Sequence, residues 1–382
     1  MYGGELILAW HFWIILCLLF VCFYMIRTFF FEERAPETAS AAIVMAVGIF
    51  LNGAFDRLHM IDTWGPYLTI GLFLIWVFIV ISFIRLLVRK KLIRHHLSEP
   101  IQSFAAGTWV AGTAVCAIVI AKYIPEFIVI THMMAVFALF LWLYYATLSI
   151  RNFMTIYRNK LYRNIHGVVL LSTVSTQSLV ILYKTLYTNF IPIWVFSAWI
   201  IVGISFYGIG FFMIIKRYVL AQDWNESDGW PNTNCILHGA LSITGLAIVI
   251  SGALSMNVAL LLWLCALAWF IMVECLECRR AYLRIRQYGW GTGVGQYDVS
   301  QWSRNFTFGM LYAFTFYLDL SKTALDVLPS LDKLKNMILD YGIWLVLLLL
   351  IVQISLFLKQ KLTIRSFPWR QDQSMNVGRS VD

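Results

Sequence analysis

The chain has 382 residues, of which 60% are hydrophobic and 13% charged, and it carries a net charge of +9. A soluble domain carries roughly 25% charged residues, and several apolar runs here reach the roughly 20 residues that cross a bilayer. A soluble globular domain is therefore excluded. The basic excess belongs to loops retained on the cytoplasmic side of a membrane, so no nucleic-acid partner is expected.

In chain order, the first apolar run covers residues 6–30. No basic segment precedes it and no small-residue cleavage site follows, so it reads as a retained helix rather than a signal. "FWIILCLLFVCFYMI" (12–26) has almost no small polar residue, which predicts a lipid-facing helix outside the main bundle. Ten further spans follow, at about 40–56, 65–88, 101–121, 126–150, 165–188, 192–215, 234–253, 257–277, 304–321 and 338–358. The fold class is an all-α polytopic membrane protein with a ten-helix core. Residues 1–38 form the extra helix and its linker, 39–358 the core, and 359–382 a cytoplasmic tail.

The distribution of Lys and Arg supports this layout. With the C-terminus inside, 23 of the 29 basic residues fall in inner segments and 6 in outer ones. The positive-inside bias then puts Met1 outside and Asp382 in the cytoplasm of a cell, in a plasma or bacterial inner membrane. The outer links, such as "YIPE" (123–126) and "TNFIP" (188–192), are short, whereas the inner links are longer and basic. The core is thus five helical hairpins. The pair Cys275 and Cys278 has no partner pair at zinc spacing, so neither a metal nor a cofactor is expected.

Odd and even core helices differ in composition. Helix 3 reads "SFAAGTWVAGTAV" (103–115), helix 5 contains "STVSTQS" (172–178), and helix 7 reads "HGALSITG" (238–245). The even helices carry runs such as "LFLIWVFIVI" (72–81) and "IWLVLLLLIV" (343–352). Helix 6 is the exception, with Gly203, Ser205, Gly208 and Gly210. Polar groups are costly against lipid, and Gly permits close helix approach. The economical arrangement is five polar helices ringed by five apolar ones. Candidate lining residues are Gly48, Asn52, Gly107, Thr108, Thr113, Ser172, Ser175, Thr176, His238, Ser242, Gly245, Gly309 and Thr315. No basic residue falls mid-membrane on an odd helix. Asp56 and Lys184 sit near the outer ends of helices 1 and 5, and Asp319 falls within the span of helix 9, one turn nearer the outside than Phe316, as an intramembrane acid and possible charge modulator.

This pattern, together with "AFTFY" (313–317), resembles the tellurite-resistance/dicarboxylate transporter family, which includes plant guard-cell slow-type anion channels. The resemblance implies a quasi-fivefold core, a central pore lined by odd-numbered helices, small anions as cargo, and a homotrimer in the lipid bilayer. It also implies a gating Phe on helix 9, carried over to Phe316, with Phe314 at the family's Tyr position. Tyr317 stands where the family commonly has Pro, and the helix at 6–30 is an addition.

The expected function is an anion channel or transporter gated by a Phe. A proton-coupled dicarboxylate or tellurite carrier is the alternative, with Asp319 or His238 as the titrating group. An intramembrane enzyme is disfavoured: no HxxxH, HExxH or paired intramembrane carboxylates occur, and "GWGTGVG" (289–295) lacks the Lys of a phosphate-binding loop.

Overall fold

The computed structural model describes residues 36–58, 61–220, 227–323 and 329–366. The helix expected at 6–30 and most of the tail lie outside the described residues. Ten long helices follow one another: α1 (Ala42–Asn52), α2 (Ile61–Val88), α3 (Gly107–Tyr123), α4 (Ile128–Arg158), α5 (Leu171–Leu186), α6 (Ile193–Leu220), α7 (Ile236–Ser251), α8 (Met256–Gly293), α9 (Gln301–Tyr317) and α10 (Pro329–Ser366). Among the described residues there is no strand.

The odd helices pack in sequence, α1 on α3, α3 on α5, α5 on α7 and α7 on α9, and α9 returns to α1. They form a closed five-membered ring. Each even helix lies over the groove between two members, as α2 does over α1 and α3, and α10 over α9 and α1. Burial follows this order. In the most apolar stretches of α3, α5 and α7, 89% of residues are buried, against 22–33% in the even helices. Helices α1 and α9 are buried almost throughout. Apolar side chains on the even helices are exposed where lipid would lie, for example Phe140, Trp194, Leu261 and Trp344.

Among the described residues, eight helices are long and apolar enough to cross a membrane, and α1 is shorter. Eleven residues of α-helix cover about 16 Å, roughly half of a bilayer's hydrocarbon core. One-turn helices at Thr38–Ala41 and Ala54–Leu58 extend it. Gly53 ends α1 where a Cβ would stand 2.9 Å from the Ala313 Cβ of α9, so the ring closes tightly there.

Several boundaries differ from the sequence reading: α4 runs on to Arg158, and α10 spans Pro329–Ser366. Helix α8 continues well past residue 277 because charged residues do not stop a helix that leaves the membrane; they only end its apolar run. "GWGTGVG" begins at Gly289, whose φ of 75° breaks α8, and a further helical turn reaches Gly293. Two of the three glycines of α6, Gly203 and Gly210, allow close contacts, while Gly208 faces open space. A Cβ at Gly203 would overlap the Gln177 side chain of α5, and one at Gly210 would stand 2.8 Å from Leu170.

Candidate functional site: the axis of the five-helix ring

The short links put one end of all five hairpins together, here termed the hairpin end. At that end a cavity of about 500 Å³ opens on the ring axis. All five odd helices border it, through Asn52 (α1), Ile118, Ala121 and Lys122 (α3), Ile181 and Thr185 (α5), Ile250 (α7) and Tyr317 (α9). The space is thus shared by every member of the closed ring.

One turn deeper on α9 lies Phe314. Phe314 and Tyr317 are three residues apart and share a helix face, so Phe314 sits beneath the cavity-lining Tyr317. Its side chain is fully buried. Its ring lies against the backbone of α7, where a Cβ on Gly245 would overlap it. Phe316 follows Phe314 by about 200° of helix rotation. It is half-buried, stands edge-on to Tyr317 with centroids 5.1 Å apart, and is not among the residues bordering the cavity. Four residues before it, on the same face, Tyr312 donates to the Leu339 carbonyl of α10 at 3.2 Å. Phe316 therefore lies on the side of α9 that meets the outer ring.

The polar candidates on the odd helices divide into two groups. Asn52 borders the cavity. Three threonines point the other way and receive indole N–H groups from outer helices: Trp76 of α2 donates to Thr113 at 2.9 Å, Trp142 of α4 to Thr176 at 3.0 Å, and Trp263 of α8 to Thr315 at 2.9 Å. Each threonine also donates to a carbonyl four residues earlier in its own helix, so its hydroxyl is satisfied both ways. These bonds fix the rotation of three inner helices, each against the outer helix of the preceding hairpin. This explains polar Thr315 in "LYAFTF": it anchors α9 to α8.

The remaining candidates pack or bond locally. Thr108 donates to Ala105 O, Ser172 to Val169 O, Ser175 to Ser172 O and Ser242 to His238 O. Gly48 lets α1 approach Val115, Gly107 lets α3 approach Tyr145 and Leu171, and Gly309 lets α9 approach Ile49. His238 is fully buried, edge-on to Phe270 at 5.2 Å and Phe308 at 6.2 Å, and among the described residues neither ring nitrogen has a hydrogen-bond partner.

Two ion clusters flank the ring. At the basic-loop end, Arg304 of α9 reaches out to Glu274 and Glu277 of α8, the latter at 3.1 Å. At the hairpin end, Lys122 Nζ stands 2.5 and 2.6 Å from the two oxygens of Asp56. The sequence reading treated Lys122 only as a marker of topology. Asp319 lies outside the helices. It caps a one-turn helix through Ser321, pairs with Lys322 at 3.0 Å, and is partly exposed. The Ser321 hydroxyl and the Lys322 ammonium hold its carboxyl down at about 2. Among the described residues no group of three or more His, Cys, Asp or Glu side chains gathers as a metal site.

A closed inner ring of buried helices, wrapped by an apolar outer ring and bordering a cavity at one end, defines a polytopic helical membrane protein. The sequence profile of the SLAC1 family, described as voltage-dependent anion channels, matches residues 37–359, and the chain belongs to that family. A comparison with curated proteins gives no match. The family consists of anion channels and transporters, so the chain is an integral membrane protein that handles small anions in a lipid environment.

Proposed function

We propose that small anions pass along the axis of the five-helix ring and that the Phe314 ring is the closing group. The observation that carries this reading is the stacking on α9: Tyr317 borders a cavity common to all five inner helices, and Phe314, one turn deeper, is fully buried against Gly245. An apolar constriction of this kind gates by excluding water. The family pattern in "AFTFY" assigns the role to Phe316; the helix phase favours Phe314. The hairpin end faces outward in this reading, with Asp382 inside, as the basic-residue distribution indicates. Labelling of single cysteines at Ser255 from outside and Ser227 from inside tests the orientation. Crosslinking in membranes tests the homotrimer.

Purified protein in proteoliposomes provides the functional test. Chloride and nitrate efflux above that of empty vesicles is expected, with no requirement for a proton gradient. Malate efflux driven only by a proton gradient would favour the coupled dicarboxylate carrier. Absence of flux for all three would remove the transport reading.

A further inference from the structure

We propose that Lys122 is an anion-binding residue at the mouth of the passage, and that Asp56 holds it in reserve. The inference rests on the conduction reading above and adds to it a site with a defined ligand class, small inorganic anions and compact carboxylates.

The two partners of this ion pair are held differently. Asp56 sits in the one-turn helix after α1, and its carboxylate is not among the groups bordering the cavity. It is braced from behind by Tyr123, whose hydroxyl lies 2.7 Å from the Leu51 carbonyl and 3.1 Å from Asp56 Oδ1. Tyr123 is itself wedged against α2, where a Cβ on Gly65 would stand 2.6 Å from its ring. Lys122 is a flexible four-carbon stem at the end of α3, and it borders the cavity directly. Its stem lets the ammonium swing from a fixed carboxylate into the adjoining space.

The chemistry of that space suits an anion. Lys122, Asn52, Thr185 and Tyr317 are among the residues that line it, and among the described residues no acidic residue does. Ile118, Ile181 and Ile250 supply low-dielectric walls, which strengthen a charge-assisted contact. With Asp56 engaged, the pair is close to neutral, so an arriving anion competes with a carboxylate for one ammonium. Such a site holds an anion weakly enough to release it, as conduction requires.

The test is an anion titration of flux or current, run separately from each side of the membrane, in wild type and in Asp56→Asn, Lys122→Gln, Lys122→Arg and the Asp56→Asn/Lys122→Gln pair. Asp56→Asn should lower the half-saturating anion concentration from one side only, by about tenfold. Lys122→Gln should raise it from that same side, and Lys122→Arg should stay near wild type. The double variant should follow Lys122→Gln. It also covers the case in which Lys122→Gln alone fails to assemble, because it leaves no unpaired carboxylate behind. If the titration curves of the double variant and wild type superimpose, the pair is only structural and the proposal is overturned. Absence of anion flux in wild type would instead remove the conduction reading itself.

Discussion

At its hairpin end the five-helix ring encloses about 500 Å³ bordered by Lys122, Asn52 and Tyr317, whereas one turn deeper the Phe314 ring fills the space against Gly245. The same helices build both levels. The open level uses side chains that stop short of the axis or end in polar groups. The closed level uses one aromatic ring and a glycine that removes the atom it would strike. Under the proposed axial route, access and closure are separated along the axis, and single side chains can be changed at one level without touching the other.

The largest effect is expected at the closed level. Phe314→Ala should raise anion flux per inserted protein by about tenfold or more, because a dry constriction becomes a void wide enough to wet. The truncation also removes a fully buried ring, at a cost of about 3–5 kcal/mol if the site does not collapse, so flux must be normalised to assembled protein. Phe316→Ala, on the α10 side, should leave flux near wild type. A rise at Phe316 alone would reverse the helix phase argued here and return the gate to the family's motif position.

Gly245→Ala comes next. Its methyl meets the Phe314 ring, and overpacking of this kind costs about 1–3 kcal/mol. Lower thermal stability in detergent is expected, with partial recovery in Gly245→Ala/Phe314→Leu. If Gly245→Ala melts like wild type, the ring is not held against α7, and the contrast between the two levels weakens.

A smaller loss is expected between the rings. Thr315→Val leaves the Trp263 indole N–H without its acceptor, which costs about 1–2 kcal/mol. Flux per folded protein should be unchanged, because Thr315 faces α8 and not the axis. Trp263→Phe in the same background should recover part of the lost stability. Altered flux in Thr315→Val would mean that rotation of α9 is itself part of gating.

These residues also explain what the sequence reading achieved. Alternation of polar and apolar helices was legible because an inner helix in a membrane must be satisfied by protein and an outer one by lipid, and composition reports that directly. Helix phase was not. Phe314 and Phe316 are two positions apart, and which one faces the axis depends on where Tyr312 meets α10 and Trp263 meets Thr315, both contacts with helices distant in sequence. The threonines misled for a related reason. A hydroxyl in an apolar run signals a partner but does not say whether that partner is water or an indole. Lys122 was overlooked because a basic residue at a helix end serves first as a topology marker. The nearby Asp56, and the cavity beside Lys122, emerge only when α1 and α3 are brought together.

The smallest effect is expected at Asp319, and it sharpens the comparison by setting one hairpin-end acid against another. Asp56 stands behind a cavity-lining cation; Asp319 stands in an exposed turn, capped by Ser321 and paired with Lys322. Its carboxyl is held at about 2, below the usual carboxylate range, first by the Ser321 hydroxyl and then by Lys322. A depressed carboxyl stabilises the fold above its unfolded range near 4 and loses that contribution only as pH falls toward its folded value. Between pH 5 and 8 it is ionised throughout, so it has no proton to exchange with a transport cycle. Flux through Asp319→Asn should therefore match wild type at every pH in that interval, apart from weak screening-dependent changes from removing an exposed charge. A pH-dependent step that disappears in Asp319→Asn, in protein that still assembles, would identify this acid as a proton carrier and favour the coupled mechanism over the channel.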